Sequence, residues 1–164
     1  MRKLLVLLMI GVPLAAFAKD NPDESFFKNA AEAGMAEVEA GTMAQSKGTS
    51  PAVKEFGAMM VKDHTAANNK LERIAVSKGV KLPTEPGMMQ KAMMKKTDMK
   101  SGESFDKDYI QGQIKAHEDT VALLQKEIDS GKDSEAKAFA METVPKVKEY
   151  LAHINKIAAG AGVK

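Results

Sequence analysis

Three histidines, His64, His117 and His153, are the only imidazoles in this chain of 164 residues, and each stands on or beside a stripe of apolar residues. Around His64 the stripe is Val53, Phe56, Met60, Ala67, Leu71 and Ile74; around His117 it is Tyr109, Ile110, Gln113, Val121, Leu124 and Ile128. Recurrence at three and four residues marks one face of a helix, so both histidines point where a leucine belongs. His153 falls on the shoulder of a fourth stripe, Phe139, Thr143, Val147, Tyr150, Ile154 and Ile157. An earlier stripe, Phe27, Ala31, Gly34 and Val38, carries Glu37 and Glu39 on opposite shoulders. Imidazole nitrogens and a carboxylate meeting inside a helical bundle form a site for one first-row transition-metal ion. The same residues also suit a buried polar network, with Asp63, Gln113, Tyr109, Tyr150 or a glutamate as partners. An unpaired buried polar group costs about 1–3 kcal/mol, so either reading demands partners. The residues leave both open, with Glu37 or Glu39 as the carboxylate.

Four long helices must position these groups, over about 22–47, 51–78, 103–130 and 133–159. The second is the best delimited, with Ser50 at the N-cap, Pro51 at the first helical position and Gly79 just past the end, the asymmetry that helix termini favour. Asp133 is the expected N-cap of the fourth, and Pro145 inside it predicts a kink, because proline removes a backbone donor and crowds the preceding turn. The breaks near Lys47–Ser50 and Gly131 are short, implying antiparallel neighbours. Between the second and third helices lies one long connection, opened by Val80–Gly87 with two prolines. The sum is an all-α, ferritin-like four-helix bundle with a single long crossover.

That connection holds Met88, Met89, Met93, Met94 and Met99. Clustered thioethers suit Cu(I), yet methionine is also a gap-filler for a short helix packed on a bundle. Lys91, Lys95 and Lys96 share the segment and weigh against a cation, so packing is the expectation and Cu(I) binding the alternative.

Composition narrows the function class. Met1 to Ala18 has a basic start at Arg2 and Lys3, an apolar run from Leu4, and Ala16-Phe17-Ala18 as a cleavage site, the pattern of a removable secretory signal. We therefore expect a signal at 1–18 and a bundle domain over 19–164, with no transmembrane segment in the mature chain. The chain holds no cysteine, so neither a disulfide framework nor a lipidation cysteine is expected, and the destination is an exported compartment, the periplasm in a Gram-negative host. The formal charge of +2 is carried by Arg2 and Lys3; removing them leaves a neutral chain with two tyrosines and no tryptophan, which offers no surface for nucleic acid. No serine–histidine–aspartate order and no glycine-rich phosphate loop is present.

Gly34-Met35-Ala36-Glu37-Val38-Glu39-Ala40-Gly41, the run from Val53 to His64, Phe105 to Ile110 with Ala116-His117-Glu118, and Val144-Pro145 with His153 resemble the exported bacterial domain-of-unknown-function family 4142. Its members are often labelled "predicted outer membrane protein". The resemblance spans the mature chain and implies a ferritin-like bundle. It implies neither membrane insertion nor any established activity. The Glu-x-x-His motif of ferritin-like di-iron proteins is absent, since Val61, Ile114 and Tyr150 stand three residues before the histidines, and a mononuclear site is the stronger metal expectation. The leading functional expectation is a non-enzymatic exported bundle related to envelope stress or metal handling, with association with the outer membrane or secretion as alternative destinations; the enzyme-class alternative is a mononuclear metal-dependent oxidoreductase using His64, His117, His153 and a first-helix glutamate.

Overall fold

The computed structural model describes residue 21 and residues 23–163; the expected signal at 1–18 lies outside them. Five helices follow one another: α1 (Glu24–Lys47), α2 (Pro51–Ser77), α3 (Met88–Asp98), α4 (Gly102–Ser130) and α5 (Ser134–Gly160), with no strand among the described residues. α1 and α2 form one antiparallel hairpin and α4 and α5 a second. The hairpins meet along α1 with α4 and α2 with α5, while α3 lies across α1 and α4. The long connection thus carries the chain from the end of α2 back along the bundle to the start of α4, the single crossover of a ferritin-like four-helix bundle.

The helix ends show how the sequence stops and starts each element. Gly79 has φ of +69°, a left-handed conformation in which glycine alone carries no Cβ penalty. Around it the Gly79 amide donates to the Val76 carbonyl at 3.1 Å and the Val80 amide to Ala75 at 2.9 Å, the paired bonds that close a helix C-terminus. Ser50 occupies the N-cap of α2, but its side chain makes no capping bond. Asp106 of α4 instead ties the loop before α2 from across the bundle, accepting the Thr49 amide at 3.0 Å and the Ser50 amide at 2.8 Å. At the opposite end Asp23 accepts the Lys132 amide at 2.8 Å and the Asp133 amide. Each hairpin loop is therefore tied by a buried carboxylate from the other hairpin. Asp133 caps α5 as expected, accepting from Glu135 and Ala136. α5 continues through Pro145; the carbonyl that loses its donor belongs to Met141, which is exposed.

Beside Asp23 sits Glu127, likewise buried. Burial first, and then the negative Asp23 next to it, pushes its carboxyl up to about 7.

The apolar core is in two blocks. One, near the start of α1, contains Phe26, Phe27, Leu71, Leu124, Phe139 and Val147. The other, near the end of α1, contains Val53, Phe56, Met60, Phe105, Ile110 and Ile154. Between them the interior turns polar. The α1–α2 crossing is held by backbone contact at two glycines: a Cβ on Gly57 lies 2.7 Å from the Gly41 carbonyl oxygen and 2.8 Å from the Ala44 Cβ. Such close approach lets two helices interlock with little side-chain volume between them.

Replacing Gly57 by alanine therefore lowers stability by about 1–3 kcal/mol through overpacking. Gly112→Ala, where an added Cβ meets nothing within 4 Å, stabilises by roughly 0.5–1 kcal/mol through the reduced entropy cost of the helical backbone. Urea denaturation of the two variants checks both signs.

Candidate metal centre in the polar layer

The polar layer is built by one turn of each long helix. On α1 the turn after Gly34 presents Glu37, 5% exposed. On α2 the turn after Met60 presents Asp63 and His64. On α4 Gln113 and His117 lie one above the other at an i, i+4 spacing, the pair of positions that share a helix face. On α5 Tyr150 follows Val147 by three residues. His117 is 1% exposed. Its Nδ1 lies 2.8 Å from the Gln113 carbonyl oxygen. A carbonyl only accepts, so Nδ1 carries the proton and donates, which leaves the Nε2 lone pair directed into the layer.

The rings pack edge to face: His64 and His117 have centroids 6.1 Å apart at 81°, and His117 and Tyr150 6.0 Å apart at 80°. Tyr150 donates its hydroxyl to Asp63 Oδ2 at 2.7 Å, fixing the α2–α5 side of the layer. Phe56 closes it from above, 5.9 Å from the His117 ring. His64 also borders a groove of about 400 Å³ that reaches Asp63, Asn68 and Tyr150, spanned on the surface by the Lys70–Glu142 ion pair.

Glu37, His64 and His117 each offer one ligand atom, and these atoms all lie within 4.8 Å of one another. Glu37 Oε2, His64 Nε2 and His117 Nε2 are all shut off from solvent with no hydrogen-bond partner. A self-contained polar network would pair these atoms. Two acceptors of one ion bonded at about 2.0–2.2 Å stand at most about 4.4 Å apart, so a small closure of side chains completes a three-ligand site. Protonation favours the same chemistry. Burial holds His64 below the usual histidine range, His117 adds to that lowering, and Glu37 and Asp63 oppose it. A neutral ring keeps its lone pair free for a cation. The Gln113 carbonyl behind His117 is the kind of outer partner that fixes the tautomer of a ligating histidine.

The other two expected ligands are placed elsewhere. Glu39 is exposed on the far shoulder of α1, and His153 is exposed on α5. His153 lies beside the Phe56 ring, 5.5 Å between centroids, and outside the Glu37, His64 and His117 group. Val147, Tyr150 and Ile154 occupy the inward face of α5, and His153 stays on the exposed shoulder of that face, short of the layer. Gln113 was legible as an inward residue, but not that its main-chain carbonyl, rather than its amide, holds the histidine.

Residues 12–157 match the model of the family described as "Domain of unknown function (DUF4142)". The chain belongs to this family. No curated protein matches it. Among solved structures, the crystal structure of "putative secreted protein DUF305 from Streptomyces coelicolor" superposes with a TM-score of 0.74 at 14% identity, covering 87% of this chain and 94% of that one. At that identity the likeness is one of fold, so a DUF4142 member and a DUF305 protein share a helical architecture. No helix among the described residues is long and apolar enough to cross a membrane.

The lowered His64 sets a pH dependence of known sign. The unfolded chain takes up a proton near pH 6.5 and the folded chain only at lower pH, so stability is full above about pH 6.5 and is lost as pH falls below it. Glu127 acts oppositely, its contribution being lost as pH rises toward about 7, but it is common to parent and variant. His64→Leu therefore removes the acid-side loss specific to the parent, and denaturation midpoints of metal-free protein between pH 5 and 8 measure the difference.

Proposed function

We propose that this protein is an exported metal-handling bundle that holds one divalent first-row transition-metal ion through Glu37, His64 and His117. The observation that carries the reading is the convergence of three buried, unpartnered ligand atoms from three helices. Their chemistry fits the ion. Two neutral imidazoles and one carboxylate suit zinc, manganese, iron or nickel, and the cation balances the carboxylate charge that burial otherwise leaves alone. Export is supported by the leader pattern of residues 1–18, with Lys19 as the first residue of the mature domain, and by the secreted description of the structurally similar Streptomyces protein. The function is binding and retention of the ion rather than turnover.

A second reading has one observation in its favour. Three protein ligands leave coordination positions open, as in mononuclear iron enzymes with two histidines and one carboxylate, so a metal-dependent oxidoreductase is the rival. The methionine segment lends less to copper handling: Met88, Met89, Met93 and Met99 are exposed, and Met93 and Met94 line a cavity toward α1 and α4.

Thermal melts test the site. With metal at about one hundred times Kd, the parent gains roughly 5–10 °C over the chelator-treated protein, since binding to the folded state alone adds about 2.7 kcal/mol. Glu37→Gln, His64→Leu and His117→Leu each abolish that gain, whereas Glu39→Gln and His153→Leu keep it. A parent indifferent to zinc, manganese, iron and nickel overturns the reading, and a gain lost on changing His153 moves the site.

A further inference from the structure

Beneath α3 is a cavity of about 260 Å³ between α1, α3 and α4. Its walls are largely apolar: Ala40 and Met43 of α1 on one side, Met93 and Met94 of α3 on the other. Three buried polar side chains line it: Glu37, already placed with His64 and His117, and Tyr109 and Gln113, 3% and 4% exposed. Neither the Tyr109 hydroxyl nor Gln113 Oε1 has a hydrogen-bond partner. Tyr109 has little freedom to seek one elsewhere, because its ring stacks on Phe105 at 6.1 Å and meets the Phe56 ring edge-on at 6.5 Å. Two unsatisfied groups outside the Glu37, His64 and His117 set, on side chains that line a largely apolar cavity, define the complement of a ligand, since a few placed polar groups among apolar walls are what small-molecule sites present.

We propose that this cavity binds a small neutral hydroxylated aromatic molecule of the phenol class. Its hydroxyl donates to Gln113 Oε1 and accepts from the Tyr109 hydroxyl, which satisfies both buried groups. Its ring lies against the thioethers of Met43, Met93 and Met94, and sulfur–aromatic contacts are favourable. The apolar walls penalise a charge of either sign, and Glu37 and Asp108, which line the same cavity, further oppose an anion; Lys96 and Lys115 at its edge are paired with Asp108 and Asp119. Size selects a compact ligand, because drug-sized molecules occupy about 300–1,000 Å³. α3, which has no fully buried residue, forms one wall of the cavity. The cavity shares Glu37 with the proposed metal set, but neither Tyr109 nor Gln113 Oε1 belongs to that set, so the two sites are separable by substitution.

The test is an NMR titration of chelator-treated protein carrying ¹³C-methyl methionine, with 4-methylphenol, toluene, benzoate and benzylamine as probes. We expect saturable shifts of the Met43, Met93 and Met94 methyls with 4-methylphenol, and at least tenfold weaker binding of the other three, tenfold being the worth of about 1.4 kcal/mol. Tyr109→Phe and Gln113→Leu each weaken 4-methylphenol about tenfold, and Tyr109→Phe, which lies outside the proposed metal machinery, leaves the metal-dependent melt in place. Ala40→Leu fills the cavity and removes binding. Absence of saturable shifts at these methyls, toluene binding as tightly as the phenol, or tighter binding of benzoate or benzylamine overturns the proposal. A metal-insensitive melt with intact phenol binding counts against the metal reading alone.

Discussion

A carboxylate and two imidazoles held dry at the midpoint of a helical bundle are the constraint around which this structure is arranged. Each unpartnered buried group costs about 1–3 kcal/mol, and Glu37, His64 and His117 together place a cost of several kcal/mol on a domain whose whole stability is of order 5–15 kcal/mol. Apolar residues at these positions would join the two core blocks into one. The interior is instead interrupted, with Phe56 and its neighbours above and Leu71, Leu124 and Phe139 below. A cation relieves the cost in a single step, because it pairs all three atoms and offsets the carboxylate charge. Sites that trade stability for chemistry are where a sequence departs from the all-apolar pattern.

The scaffold keeps the layer in register by ties at both ends of the bundle. Asp106 binds the α1–α2 loop to α4, and Asp23 binds the α4–α5 loop to α1. Each tie joins the two hairpins, so a slide of one hairpin along the other breaks hydrogen bonds to buried carboxylates, which are among the stronger kind. The Gly41–Gly57 contact fixes the separation of α1 and α2, and with it the distance from Glu37 to His64. The Glu37 and His64 side chains of the layer are thereby placed by features one and more turns away.

Local signals carried most of the fold. Pro51, Gly79, Gly131 and Asp133 punctuate the sequence at the same places where the helices begin and end, because capping and the left-handed turn at Gly79 act over a few residues. His64 and His117, central in their stripes, face inward for the same reason. Shoulder positions are where a helical wheel stops discriminating. Glu37 and Glu39 differ by roughly 200° around a helix, and only the packing of α1 against both α2 and α4 decides that Glu37 is the buried one. His153 was ambiguous from its shoulder position on a proline-containing helix, and the phenol of Tyr150 holds the inward place. The ties from Asp23 and Asp106 join residues more than fifty positions apart, and no local pattern announces them. Nor does the sequence show that the α3 methionines divide between solvent and a cavity.

The central claim is that Glu37, His64 and His117 are completed by one ion. Anomalous diffraction at the metal edge, from crystals grown with the metal that most raises the melting temperature, tests it directly. The account predicts a single peak in the bundle interior, about 2.0–2.2 Å from a Glu37 carboxylate oxygen and from Nε2 of both His64 and His117. An empty polar layer in crystals that carry the metal elsewhere, at His153 or on the α3 methionines, contradicts it.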